Sequence, residues 1–200
     1  MSGGALGWLA CPVCGEGLAR DGAALRCAAG HSFDIARQGY VNLLRRAAPE
    51  NADTPEMLAA RDRFLVAGHY APIAAAVAEA CRGAGRIVEV GAGTGYYLNA
   101  ALDAAPDAEG LATDVSPAAA RRAARCHPRA AAVVADTWQR LPLPDGAVDL
   151  VLCVFAPRNP AEFARVLRPG GRAVVVVPGP GHLQELREGY GLLGVGEDKA

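Results

Sequence analysis

From Arg86 onward, short continuous apolar runs alternate with stretches whose apolar residues recur at helical spacing. The runs RIVEV (86–90), GLAT (110–113), AAVVA (131–135), VDLVLCVF (148–155) and RAVVVV (172–177) predict strands. The segments at about 95–105, 117–126 and 160–167 predict helices between them. Strands that read apolar on both faces belong to a parallel sheet covered on both sides, so this region predicts a doubly wound α/β fold. Ahead of it lie two further helices. One starts with Thr54 as N-cap and Pro55 in its first turn and runs through MLAARDRFLVA to Gly68; the other spans roughly Ala71 to Arg82 and ends at Gly83.

The first fifty residues follow neither period. Residues 8–32 are rich in Cys and Gly and too short for an apolar core of their own, and 45–55 (RRAAPENADTP) read as a polar linker broken by Pro49 and Pro55. The expected organisation is therefore a small module at 1–44, a linker at 45–55 and an α/β domain at 56–200. No internal repeat is visible.

With 52% apolar and 20% charged residues over 200 positions, the chain can bury a real core, which excludes a disordered tail or a disulfide-stapled scaffold. No apolar run approaches the roughly 20 residues needed to cross a bilayer. The N-terminal MSGGALGWLACPVC lacks a basic segment followed by an apolar one, so no signal peptide is expected and the cytoplasm is the expected location. The net charge of −1 hides an asymmetry: residues 1–46 hold five arginines against three carboxylates, while the remainder holds 15 basic and 18 acidic residues. Lys199 is the only lysine; guanidinium groups suit phosphate contacts, but an Ala/Arg/Gly-biased genome explains the same preference more simply.

Three of the six cysteines fall in the first 27 residues, and without a signal peptide such crowding points to metal rather than disulfides. Cys11-Pro-Val-Cys14, twelve residues, then Cys27-Ala-Ala-Gly-His31 has the spacing of a structural zinc site, with Gly15 and Gly30 allowing the turns. Three thiolates and one imidazole close a tetrahedral shell and leave no position for a substrate water. Zinc would then supply the stability this segment cannot draw from a core, about 10–16 kcal/mol in comparable small sites. Cys81, Cys126 and Cys153 fall in predicted helix or strand and read as small buried side chains.

A glycine loop, Gly91-Ala92-Gly93-Thr94-Gly95, joins the strand ending at Val90 to a helix opened by Tyr96-Tyr97-Leu98, which lets a ligand approach backbone and helix N-terminus. Its spacing is G-x-G-x-G, not the G-x-G-x-x-G of dinucleotide sites. Glu89 precedes it by two positions. Asp114 closes the second strand, where a carboxylate can accept from two ribose hydroxyls. Asp136 closes the third, where it or its neighbouring backbone can read an adenine amino group. Alone the loop says little. Together with these carboxylates and a late RPGG turn (168–171), it points to S-adenosylmethionine; the competing reading makes Asp114 and Asp136 helix N-caps.

The two halves together resemble the zinc-containing 23S rRNA guanine-N1-methyltransferases, a family that includes macrolide-resistance enzymes. The residues that carry the resemblance are CPVC, CAAGH, FDIARQGYVNLL (33–44), RFLVAGHYAP (63–72), EVGAGTGYY (89–97), ATDVS (112–116), VFAPRN (154–159), VLRPGG (166–171) and PGPGHLQEL (178–186). The stretch 33–44 behind a Cys/His knuckle is the most specific of these. The resemblance implies a Rossmann-like class I methyltransferase sheet behind a zinc-binding, RNA-recognising module. Cys11, Cys14, Cys27 and His31 would bind zinc. Gly91, Gly93, Thr94 and Gly95 would wrap the methionine end of the cofactor, with Tyr70, Tyr97 and His182 close by, and Asp114 would hold the ribose. Phe155 and Pro157 would shape the target pocket, although Phe155 reads equally well as a buried aromatic at a strand end; 23S rRNA would be the partner, and a homodimer is implied by the same resemblance. Because the family extends further, the C-terminal strands are expected to be missing, leaving the fifth strand as an edge.

The implied reaction is methyl transfer to N1 of a guanine in an rRNA hairpin loop, with Arg20, Arg26, Arg37, Arg45 and Arg46 as the RNA-docking set. Two other readings fit parts of the pattern: a small-molecule methyltransferase with a structural zinc knuckle, and a non-catalytic zinc-ribbon RNA-binding protein. The glycine loop argues against the second and residues 33–44 against the first.

Overall fold

The computed structural model describes residues 4–179 and 181–190. After a 3-10 turn, Gly4–Trp8, three short strands form an antiparallel meander: β1 (Ala19–Asp21), β2 (Ala24–Arg26) and β3 (Ser32–Asp34). A second, six-stranded sheet is parallel throughout. Its strands are β4 (Tyr40–Asn42), β5 (Arg86–Val90), β6 (Glu109–Asp114), β7 (Ala130–Val134), β8 (Val148–Val154) and β9 (Leu167–Val176), in the order β4-β7-β6-β5-β8-β9. The helices are α1 (Pro55–Val66), α2 (Ala71–Ala80), α3 (Tyr96–Ala104), α4 (Pro117–Ala123), α5 (Pro160–Val166) and α6 (Gln184–Tyr190).

Local chemistry sets the helix starts. Thr54 caps α1, its hydroxyl accepting from the Met57 amide at 3.3 Å with Pro55 in the first turn, as the sequence predicts. Ser116 and Asn159 cap α4 and α5 in the same way. Ser116, not Asp114, is thus the α4 cap, which frees the Asp114 carboxylate for the neighbouring loop.

The sheet carries apolar clusters on both faces. On one, Ala74 and Val77 of α2, Leu98, Ala101 and Leu102 of α3 and Ala120 and Ala123 of α4 pack against Ile87, Ala112, Val134, Leu150 and Leu152. The other face is covered largely by the N-terminal module: Trp8, Leu9, Leu18, Leu25 and Val41 join Phe163 and Val166 of α5 against Val88, Val90, Leu111 and Val133. The Ala10 amide donates to the Pro142 carbonyl at 2.9 Å, and Arg86 lies over the Trp8 ring at 5.3 Å. The module therefore has no core of its own because it shares one with the sheet. β4, within residues 1–44, extends that sheet by pairing in parallel with β7.

Two parts of the chain differ from their sequence reading: β1 to β4 lie where no strand period is visible, with β4 crossing from the expected 1–44 module into the large sheet, and β9 starts early. RPGG (168–171) predicts a turn ahead of a strand at 172, yet β9 begins at Leu167 and takes the four residues in as an irregularity in its pairing with β8. Leu167 already pairs with Val148, and a Cβ on Gly171 would lie within about 3 Å of the Asp149 carbonyl oxygen, so the close approach of backbone to β8 requires glycine there. Among the described residues β9 is one edge of the sheet and β4 the other, with Val175 of β9 and Val177 just after it exposed.

Candidate cofactor cavity and zinc site

The zinc ligands come from two tight knuckles. In the first, the Gly15 amide returns to the Cys11 carbonyl at 2.8 Å; in the second, the Gly30 amide returns to the Cys27 carbonyl at 3.0 Å. All four ligand atoms lie within 4.8 Å of one another. Cys14 Sγ is 3.6 Å from Cys27 Sγ, and His31 Nδ1 is 3.6 Å from Cys11 Sγ and 3.3 Å from Cys27 Sγ. A tetrahedral ion with bonds of about 2.3 Å to sulfur and 2.0 Å to nitrogen has edges of about 3.5–3.8 Å, so the donor set fits zinc in size as well as in kind.

A cavity of about 970 Å³ opens where β5, β6, β7 and β8 end, within the range that small-molecule sites occupy. Tyr70, Glu89, Gly91, Gly93, Thr94, Tyr97, Asp114, Asp136, Phe155 and Pro157 all line it. Two expected residues do not. Gly95 lies beneath the loop as the residue before α3, and His182 sits in the turn after β9, its amide bonded to the Gly179 carbonyl at 3.0 Å.

The loop glycines answer different demands. A Cβ on Gly91 would sit 2.5 Å from that of Ala156, and one on Gly95 would sit 2.8 Å from Cys126 Sγ; both residues also have positive φ, 67° and 80°. These two let the loop fold against β8 and α4. A Cβ on Gly93 would meet only the Arg61 guanidinium, at 3.1 Å, so this position faces the cavity.

The carboxylates are held by backbone amides. Asp114 accepts from Gly93 and Ser116, both at 2.8 Å; burial raises its pKa, and these two amides oppose the rise. Asp136 accepts from the Trp138 amide at 3.0 Å and from Arg46 at 2.8 Å. Neither carboxylate is a helix N-cap. Glu89 is 1% exposed and accepts from the Leu98 amide at 3.1 Å, supplying the side-chain acceptor that Gly95 lacks at the start of α3. Burial pushes its pKa up to about 8, although the Leu98 amide pulls the other way.

Several cavity residues escaped the sequence reading. Arg61 of α1 forms an ion pair with Asp53 and reaches over Gly93; its second nitrogen donates to the same carboxylate at 3.1 Å. The Asp53 carbonyl in turn accepts from Ser116 Oγ at 2.6 Å, so residues of the linker form one wall. Arg46, grouped with RNA-docking residues by sequence, also lines the cavity. Trp138 is 65% exposed on the rim; the only signal for it was an aromatic side chain in a polar loop. That loop is pinned by Arg165, which donates to the Leu141 and Leu143 carbonyls at 3.0 and 2.7 Å, and by Asn159, which donates to the Thr137 carbonyl at 3.0 Å.

Aromatic rings line the same cavity. Phe155 adopts φ +53°, a conformation costing a non-glycine residue about 1 kcal/mol or more, with its amide bonded to the Val176 carbonyl at 2.9 Å. Its ring lies 5.9 Å from Tyr70, which meets Phe64 edge-on at 5.1 Å, and Phe64 stacks on His69 at 4.9 Å. Cys81, Cys126 and Cys153 are buried or partly buried with raised pKa values, as expected of small apolar side chains.

Comparison with known proteins joins the two sites. Residues 9–45 match the zinc-ribbon family described as RlmA, N-terminal, and residues 87–171 match a methyltransferase domain family. A 23S rRNA (guanine(748)-N(1))-methyltransferase of Streptomyces fradiae is 52% identical over 198 residues, covering 96% of this chain and 71% of that protein. A Micromonospora griseorubida protein assigned as a 23S rRNA (guanine-N(1)-)-methyltransferase is 55% identical over 209 residues, covering 94% of this chain and 71% of its own length. Among solved structures, a Haloferax volcanii complex of the Trm112 activator with a methyltransferase superposes with a TM-score of 0.56 at 26% identity, over 70% of this chain and 68% of that one. An S-adenosylmethionine-dependent methyltransferase sheet sharing its core with a Cys3His zinc ribbon, with identity above half across nearly the whole chain, makes this protein a member of the 23S rRNA (guanine-N1)-methyltransferase family.

Proposed function

We propose that this chain transfers the methyl group of S-adenosylmethionine to N1 of a guanine in a 23S rRNA hairpin loop. The observation that carries the reading is a single cavity lined by two unlike sets of residues. One set is the glycine loop with Asp114 and Asp136; the other is aromatic, the exposed Phe155 and the half-buried Tyr70, with Trp138 on the rim. The first suits a nucleoside with charged groups, the second a purine ring.

In this reading Asp114 accepts from the ribose hydroxyls, and Asp136 with its adjacent backbone reads the adenine. Thr94, Gly93 and Gly91 bring backbone against the methionine end, with Tyr97 beside them, and Glu89 fixes the start of α3 so that the loop keeps its shape. When bound, the cofactor supplies a sulfonium methyl for in-line transfer, and the protein contributes orientation and exclusion of water. Phe155 and Pro157 form the face on which the guanine stacks. Because N1 is paired in a duplex, the base has to come from a loop or be extruded before it reaches this face. The ribbon's four ligands form a closed shell, which suits zinc as structural support for the covered face of the sheet rather than as a reactant. The relatives from Micromonospora and Streptomyces, named for rRNA guanine-N1 methylation, favour this substrate over a small molecule.

The test is methyl transfer from labelled S-adenosylmethionine to unmodified 23S rRNA, read out by reverse-transcription stops. N1-methylguanine blocks pairing, so a new stop at one guanine in a hairpin loop is the expected result. Label appearing without a stop places the methyl elsewhere and overturns the N1 assignment.

A further inference from the structure

Most guanidinium groups on this surface are committed to the protein itself. Arg26 pairs with Asp21, Arg46 with Asp136, Arg122 with Asp62 and Arg168 with Asp149, while Arg20 and Arg172 donate to backbone carbonyls. Among the described residues Arg37, Arg45, Arg121 and Arg125 have neither kind of partner, and all four are exposed. A fifth, Arg63, lies on α1, which packs against α4.

The fold gathers these four on one flank. α4 packs against the edge strand β4, and a Cβ on Gly39 would lie 4.0 Å from that of Ala124. Tyr40 and Leu44 pack on the same cluster as Ala120, Ala123 and Ala124. Arg37 sits in the tight turn before β4, closed by the Gly39 amide on the Ala36 carbonyl, next to the end of α4 where Arg125 follows. Arg121 stands one helical turn before Arg125. β4 then runs parallel to β7 toward the end of the sheet that bears Asp136, so Arg45 emerges beside the cavity, and the next residue, Arg46, lines it. From Gly39 to Arg45 the backbone spans at most about 20 Å. Asp62, the carboxylate of α1 that faces α4, is already neutralised by Arg122.

We propose that the flank formed by β4 and α4, carrying Arg37, Arg45, Arg121 and Arg125, is the track along which the phosphates of an RNA strand lie on their way to the cavity mouth. The proposal rests on the rRNA reading above and deepens it. It keeps Arg37 and Arg45 of the docking set expected from the sequence and adds Arg121 and Arg125 of the sheet's covering helix, while Arg20 and Arg26 are held by their own turn and Arg46 by Asp136. A row of unpaired guanidinium groups ending beside an aromatic-walled cavity matches a polyanion that must present one base there.

The experiment measures binding of an unmodified 23S rRNA hairpin fragment by fluorescence anisotropy over a potassium chloride series, with S-adenosylmethionine affinity measured separately by calorimetry. Each phosphate contact to a single strand contributes roughly 0.7 to the slope of log K against log salt, so replacing all four arginines by Gln is expected to lower that slope by about 3. Cofactor affinity stays unchanged, which shows the variant is folded. Arg82→Gln, between α2 and the start of β5 at the end of the sheet away from the cavity, leaves the slope as it is. An unchanged slope in the fourfold variant, or a fall produced instead by Arg20→Gln with Arg26→Gln, overturns the flank while the rRNA reading stands. Failure of the unaltered chain to bind the fragment at all overturns the rRNA reading and the flank with it.

Discussion

Glu89 gives the sharpest test of the energetics of this site. Its carboxyl is buried beneath the glycine loop, and burial raises its pKa from 4.5 to about 8. Between those two values the folded chain holds a proton that the unfolded chain releases. Folding stability therefore falls as pH rises from about 4.5 to about 8 and levels off above, where both states are ionised. A shift of this size corresponds to a loss on the order of 5 kcal/mol across the window, at about 1.4 kcal/mol per pKa unit. Glu89→Gln removes the titration and keeps a side-chain oxygen to accept from the Leu98 amide. Urea unfolding of both proteins with zinc bound, at about pH 5, 6.5 and 8, separates this group from the metal ligands, whose protonation is common to the two. The variant is expected to gain on the parent as pH rises, by several kcal/mol in total. A stability difference that stays constant across the window refutes the reasoning, since Glu89 would then titrate alike in the folded and unfolded chains.

The remaining predictions concern the loop, the metal and the cavity wall. Gly91→Ala forces a methyl to within 2.5 Å of Ala156 at a φ of 67°, and a cost of about 1–3 kcal/mol is expected in chemical denaturation; Gly93→Ala shares the backbone strain, at φ 55°, but meets only the Arg61 side chain, so it is expected to cost less stability and to weaken cofactor binding as well. Stripping zinc with a chelator is expected to lower the melting temperature of the whole chain, because Trp8, Leu18 and Leu25 lie in the same apolar cluster as Val88 and Leu111; a separate low-temperature transition with an unshifted main one would contradict the shared core. Trp8 is buried and Trp138 is exposed on the cavity rim, so S-adenosylmethionine should change the intrinsic fluorescence, and Trp138→Phe should abolish that change. Phe155→Leu is expected to slow methyl transfer by about tenfold, the loss of about 1.4 kcal/mol of stacking, with cofactor affinity retained as read by calorimetry.

Much of this was legible along the chain because it is local. The capped start of α1, the five strands after Arg86 and the two Cys/His knuckles each follow from residues within a few positions of one another, where spacing alone decides which side chains can meet. Glu89, Asp114 and Asp136 could be aligned in advance for a similar reason: in a parallel sheet, strand ends fall on one edge. The apolar period reports that a segment is buried, and strand runs this apolar report burial on both faces.

What covers each face is a different matter, and there sequence was silent. Trp8 and Leu9 lie in a segment too short for its own core, and only the folded chain shows them closing one side of the large sheet. The same limit applies to Arg46 and Asp136, 90 positions apart, and to Arg61, whose reach over Gly93 depends on how α1 crosses the loop. A charged side chain carries no periodic signal of its partner; the choice is made by whichever acceptor the packed elements bring within reach. Composition and spacing thus determined the elements, the zinc ligands and the cofactor edge. Tertiary packing decided which arginines are neutralised, which remain open, and which aromatic rings face the cavity, because those outcomes depend on distances between segments that are far apart in the chain.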